Sequence, residues 1–133
     1  MAERVLICGS RSWSDSLAVY ERVSALPEGT IVIEGGALGA DEYAYEAAKA
    51  RGLFVAEVEC LDEHWELFGK GAGHRRNHAM LDLQPDLVIA FSLGSNGTEG
   101  TITEARRRGI PVEVYGPEGL ESRGGQQRQR QAV

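Results

Sequence analysis

Four short segments of the chain carry groups suited to gripping an anionic ligand: Gly9-Ser10-Arg11, the turn from Gly35 to Asp41, Lys70 to Asn77, and Gly94-Ser95-Asn96-Gly97-Thr98. The first supplies a hydroxyl, backbone N–H groups and a guanidinium able to fork two phosphate oxygens. A surface arginine paired with a carboxylate would look the same in sequence. The second follows the apolar run Ile31-Val32-Ile33 and leads into a helical pattern. Glycines at such a junction let backbone approach a ligand, and a helix starting near Gly39 turns unpaired N–H groups and its positive end toward an anion. The same glycines serve equally for tight packing. The fourth segment repeats this logic on another strand, so Gly36, Gly39, Gly97 and Thr98 are candidate phosphate contacts.

Lys70, His74, Arg75, Arg76 and His78 form the densest basic cluster. Arg75 and Arg76 lie about 100° apart on a helix, so at most one aims squarely into a cleft. Asp41, near a helix start, either caps that helix or accepts hydrogen bonds from ribose hydroxyls. Trp65 and Phe68 suit core packing or stacking on a base, with packing the commoner use of aromatics. Cys60, Asp62 and His64 fit no zinc spacing, so no metal site is expected.

These segments need a scaffold, and the hydrophobic pattern supplies one. Val5-Leu6-Ile7-Cys8, Ile31-Val32-Ile33 and Leu87-Val88-Ile89-Ala90-Phe91 read as strands buried on both faces, which implies parallel pairing. Phe54-Val55-Ala56 and Val112-Glu113-Val114 complete five strands. Helices are expected from Ser14 or Asp15 to Leu26, Gly39 to Arg51, His74 to Leu83 and Thr98 to Arg108. Ala40, Ala44, Ala47 and Ala48 let the second pack close to the sheet. The alternation predicts an α/β, Rossmann-like, doubly wound and mainly parallel sheet of about five strands, with helices on both faces. Its ligand site would lie beyond the carboxyl ends of the strands.

With 133 residues, the chain suits a single domain, here residues 1–116. From Pro117 the composition turns to Gly, Gln and Arg, and a disordered tail over 117–133 is expected because too few apolar residues remain to pack. A net charge of −6 disfavours charge-driven binding to nucleic acid or anionic membrane. Two cysteines without a paired framework, no spanning apolar stretch and no signal sequence point to a cytoplasmic protein.

Taken in order, the motifs resemble the SLOG superfamily, and most closely its YpsA-related branch. They are Gly9-Ser10-Arg11 with Trp13; Gly35-Gly36-Ala37-x-Gly39-Ala40-Asp41; Trp65-x-x-x-Gly69-Lys70-x-Ala72-Gly73-x-x-Arg76-Asn77-x-x-Met80; Gly97-Thr98; and Ala105-Arg106-x-x-Gly109-Ile110-Pro111-Val112. The resemblance covers residues from about 5 to 115. It implies a Rossmann-like fold that binds a nucleotide or nucleotide-derived small molecule, often as a homodimer, with no cofactor. Gly9, Ser10, Arg11, Gly35, Gly36, Gly39, Asp41, Lys70, Asn77, Gly94, Ser95, Asn96, Gly97 and Thr98 become the expected binding residues.

The superfamily includes the Lonely Guy phosphoribohydrolases, which cleave the N-glycosidic bond of nucleoside monophosphates using an arginine and the glutamate of a PGGxGTxxE motif. Arg76 matches the arginine. Taking Gly100-Thr101 as the GT pair puts Glu104 at the catalytic position, whereas taking Gly97-Thr98 puts Thr101 there and better preserves the surrounding spacing. The chain also has Leu93-Gly94-Ser95 in place of the proline and two glycines, and Asn77 where a lysine normally follows the arginine. Ligand binding or sensing is therefore the leading expectation and hydrolysis by Arg76 and Glu104 the alternative. Arg76-Asn77 and the Gly36 to Asp41 turn also resemble the DprA family, which binds single-stranded DNA, a reading that the acidic balance opposes.

Overall fold

The computed structural model describes residues 3–59, 66–67, 69 and 71–123. Lys70, and with it Cys60, Asp62, His64, Trp65 and Phe68, lies outside the described residues. Strands β1 (Arg4–Gly9), β2 (Ile31–Glu34), β3 (Phe54–Glu57), β4 (Leu87–Phe91), β5 (Val112–Gly116) and β6 (Gly119–Arg123) alternate with helices α1 (Ser16–Ser24), α2 (Ala40–Ala50), α3 (Gly71–Asp82) and α4 (Asn96–Arg107). The sheet order is β3-β2-β1-β4-β5-β6, parallel except for the last pair. This is the expected α/β Rossmann-like fold with one strand more than the sequence pattern indicated.

The β-branched and leucine side chains of β1 are fully enclosed because helices cover both faces of the sheet: Val5, Leu6 and Ile7 are each 0% exposed. Val5 and Ile7 join Val19 and Val23 of α1 and the small alanines of α2 on one face. Leu6 and Cys8 join Met80 and Leu81 of α3 and Ile102 and Ala105 of α4 on the other. Asp15 caps α1 through its side chain, which accepts from the Ala18 N–H at 3.1 Å. Helices α3 and α4 begin two or three residues earlier than the sequence pattern predicts, at Gly71 and Asn96.

The sixth strand corrects the expectation of a disordered tail from residue 117. Residues Gly119–Arg123 turn back and pair antiparallel with β5, Tyr115 against Leu120 and Val114 against Ser122. The tail argument counted side chains to bury, and Leu120 is indeed exposed. Backbone pairing to the open edge of β5 orders the segment instead. Residues 124–133 lie outside the described residues.

Strand order reverses between β1 and β4, whose neighbours β2 and β5 run off to opposite sides. Loops leaving the carboxyl ends of β1 and β4 must therefore diverge, one toward each face, and leave a crevice between them. No helix among the described residues is long and apolar enough to cross a membrane.

Candidate functional site

A cavity of about 400 Å³ occupies that crevice. Its floor is the end of β1, where Cys8 and Gly9 meet the sheet; one side is the first turn of α4, and α3 closes the other. Gly9 is required there. A Cβ at this position would stand 2.4 Å from Ala40 Cβ and 2.6 Å from the Phe91 carbonyl oxygen, so only glycine lets α2 and β4 come this close. Gly39 has a comparable role: its φ is +78°, and a Cβ would lie 2.6 Å from the carbonyl oxygens of Ser10 and Arg11.

The β1 and β4 loops are tied by hydroxyls. Ser10 Oγ accepts from the Leu93 N–H at 2.9 Å and lies 2.8 Å from Ser95 Oγ, which in turn donates to Thr98 Oγ1 at 3.1 Å. Ser95 is the N-cap of α4 but makes no side-chain cap bond, so its hydroxyl does not occupy the N–H groups of the first turn. Ser95, Gly97 and Thr98 line the cavity. The positive end of α4 thus faces the space together with hydroxyl donors.

Arg76 and Asn77 enter from α3. Asn77 Oδ1 accepts from Arg76 Nε at 3.3 Å and Nη2 at 3.2 Å, while its Nδ2 donates to the Gly97 carbonyl at 3.4 Å. Arg76 Nη1 donates to the Gly35 carbonyl at 3.3 Å. The guanidinium stem lies across Gly35, where a Cβ would sit 2.9 Å from Arg76 Cδ and Nε. Arg76 lines the cavity and Arg75 is exposed outside it. Arg11 stands at the lip.

The glycine turn after β2, expected as a phosphate cradle, has part of its backbone bonded within the protein. The N–H groups of Gly35, Gly36 and Ala37 are bonded to the protein's own carboxyls. Asp41 Oδ2 accepts from Gly35 N–H at 3.0 Å and Ala37 N–H at 3.4 Å, and Glu34 Oε1 accepts from Gly36 N–H at 2.7 Å. Gly35, Gly36 and Gly39 do not line the cavity, and neither do Gly94 and Asn96. Gly36 instead faces Glu57 and Glu59, and Gly39 serves packing.

Asp41 neither caps α2 nor points away. It is 3% exposed and lines the cavity. Burial raises its carboxyl to about 6 against the opposing pull of Arg76 and the two N–H groups. Burial likewise pushes the Cys8 thiol far up, helped by Asp41, so it stays protonated and unreactive at neutral pH. Behind the turn, Glu34 is 0% exposed and its Oε2 has no donor from the rest of the protein. Glu57, its register partner on β3, interacts with the Glu34 carboxyl. Burial first, then the hydrogen bond to Glu57, raises Glu34 to about 8, so one proton is held between the two carboxyls.

Glu104 is separate from this assembly. Its carboxylate is bonded by Arg107 and, at 2.9 Å, by Arg108 Nε, which together hold it down to about 2. It lines a smaller neighbouring cavity, whereas Thr101 lines the main one. Arg76 and Glu104 therefore line adjoining cavities that share His74, Asn77 and Thr101, with Glu104 nearly one helical turn beyond Thr101.

Cys8, Ser12 and Met80 also line the cavity, though they are not among the candidate binding residues expected from sequence. Gly73, Arg76, Asn77 and Met80 share the spacing of one helical face, and that was a usable signal. The Glu34–Glu57 pair had none, since nothing local says that β2 and β3 place these two ends side by side. Among the described residues no group of three His, Cys, Asp or Glu side chains is placed to hold a metal ion.

No protein-family model matches the chain. It is 40% identical over 122 residues to the Gene 61 protein of Mycobacterium phage D29, covering 85% of this chain and 96% of that protein. Among solved structures it is similar to DNA processing protein A (DprA) from Streptococcus pneumoniae, with a TM-score of 0.72 at 20% identity over 98% of this chain. The chain spans 56% of that DprA chain. It is also similar to TM1055, a structural genomics target, with a TM-score of 0.65 at 21% identity, covering 83% of this chain and 72% of the other. At these identities the structural likenesses establish the fold.

Proposed function

The chain belongs to one family with the Gene 61 protein of Mycobacterium phage D29 and carries a SLOG-type fold, and on that premise we propose that it binds a nucleotide or nucleotide-derived small molecule. The observation that carries this reading is the polarity of the cavity at the β1/β4 switch point. At one end stand the first turn of α4, the hydroxyls of Ser10, Ser95 and Thr98, and the guanidinium of Arg76. This end suits phosphate. Beside Arg76, at the Gly35 backbone that both side chains contact, stands the buried carboxylate of Asp41, an acceptor for sugar hydroxyls. Calorimetry with AMP, ADP, ADP-ribose and NAD tests the proposal. Binding of at least one is expected, weakened about tenfold or more in Arg76→Ala, as for loss of a charged hydrogen-bonding partner. Silence across the panel refutes it.

The position of Asp41 favours a specific form of the hydrolase alternative. Asp41 is the carboxylate in the cavity wall, and Glu104 is outside it. Release of free base from a nucleoside monophosphate, if it occurs, is expected to survive Glu104→Ala and to be lost in Asp41→Asn. The DprA likeness makes single-stranded DNA a further occupant to exclude. A gel shift at low and high salt does so, and no shift is expected from a chain of net charge −6. The proposed homodimer is checked by sedimentation velocity.

A further inference from the structure

Asn77 lines the cavity, yet each end of its amide bonds to the protein. Its Oδ1 accepts from Nε and Nη2 of Arg76, the donors along one edge of the guanidinium. Its Nδ2 reaches the Gly97 carbonyl in the first turn of α4. The partners fix which way the amide faces: turned over, it would set donor against donor at Arg76 and acceptor against acceptor at Gly97. Asn77 is 8% exposed, so water is poorly placed to substitute for either contact.

A guanidinium has five N–H groups. Asn77 takes two of those on Arg76, and the Gly35 carbonyl takes one from Nη1. One N–H on each terminal nitrogen has no acceptor among the described residues. Such a pair can address two oxygens of one anion. An arginine on a helix surface is free to offer either edge of its fork, at the cost of rotamer changes alone. The amide of Asn77 selects between them. At 3.2 and 3.3 Å its contacts with Arg76 are longer than the ordinary value of about 2.9 Å, so they orient the guanidinium while competing weakly with a charged ligand.

Taking the ligand from the nucleotide reading above, we infer that Asn77 is a positioning residue. It ties Arg76 to the first turn of α4 and leaves the guanidinium's terminal nitrogens for the ligand, which Asn77 itself does not touch.

Two measurements test this. In the free protein, solvent exchange of the Arg76 Nε–H is followed by proton–nitrogen NMR, the resonance being identified by its loss in Arg76→Ala. Exchange should quicken about fivefold or more in Asn77→Ala, which has no acceptor, and stay near wild type in Asn77→Asp, which keeps the acceptor but loses the donor to Gly97. Equal exchange in wild type and Asn77→Ala overturns the inference. So does faster exchange in both variants, the result of a role through Gly97 alone. In calorimetry with AMP and ADP, Asn77→Ala should weaken binding about threefold to tenfold and Arg76→Ala about tenfold or more. The double variant should fall within about twofold of Arg76→Ala, because Asn77 has nothing to orient once the guanidinium is gone. Additive losses overturn the inference, since they mean that Asn77 meets the ligand directly. If no nucleotide binds, the nucleotide reading fails and the exchange measurement decides the role of Asn77 by itself. Circular dichroism melting confirms that each variant folds, and Asn77→Leu, of nearly the same shape and without an acceptor, replaces an alanine variant that does not.

Discussion

Replacing Glu34 with glutamine isolates the contribution of a single buried proton. Glu34 is wholly enclosed; one oxygen accepts from Gly36 N–H at 2.7 Å, and the carboxyl also interacts with Glu57. Its carboxyl titrates near 8 in the fold against an ordinary 4.5. Between those values the folded chain holds a proton that the unfolded chain has released. Stability from this group is thus fully present below about pH 4.5 and is lost as pH rises toward 8. The limiting slope is about 1.4 kcal/mol per pH unit. Over the whole window the loss would reach about 4–5 kcal/mol, and screening by water at the exposed Glu57 reduces it to about 2 kcal/mol. Glutamine keeps the acceptor for Gly36, and its amide N–H replaces the proton toward Glu57. Urea unfolding of both proteins at pH 5, 6.5 and 8 is the assay. Glu34→Gln is expected to be nearly as stable as wild type at pH 5 and more stable by about 2 kcal/mol at pH 8. Parallel pH profiles, or a glutamine variant weaker at pH 8, would refute the shared proton.

Three further outcomes follow from the same contacts. Gly9→Ala puts a methyl against Ala40 Cβ and the Phe91 carbonyl, and should cost about 2–4 kcal/mol in denaturant unfolding. Gly35→Ala meets the flexible stem of Arg76 instead, so stability should change by less than about 1 kcal/mol. Nucleotide affinity in the same variant should fall about tenfold in calorimetry, because the guanidinium is pushed off its seat. If Asp41 receives sugar hydroxyls as proposed, it accepts them more strongly when ionised, and burial raises its carboxyl to about 6, so affinity should weaken as pH falls from 7.5 to 5. Asp41→Asn should bind more weakly, and its affinity should not vary over that range.

Parallel strands buried on both faces write themselves as continuous apolar runs, and β1, β2 and β4 were legible for that reason. The cap at Asp15 and the alanine face of α2 were equally local signals. The strand at Gly119–Arg123 was not, because its order comes from backbone pairing to β5 rather than from side chains. Composition cannot register an open edge elsewhere in the sheet.

Part of the site could be read from sequence for a similar reason. Ser10, Arg76, Asn77, Gly97 and Thr98 lie at strand ends or on a helix face, and the alternation of elements dictates where those ends gather. What the residues do depends on distance in space. The glycine turn after β2 carries the composition of a phosphate loop, yet Asp41 and Glu34 fold back onto the N–H groups of Gly35, Gly36 and Ala37. Glu104 carries the composition of a catalytic acid, yet the pitch of α4 turns it to Arg107 and Arg108. The sequence by itself determined a doubly wound sheet with a polar crevice at its switch point, since hydrophobic period and strand alternation are local properties. Only the tertiary structure decided which glycines line the cavity and which turn their N–H groups to the protein, because a hydrogen-bond donor is available only if no nearer acceptor of the same chain has claimed it.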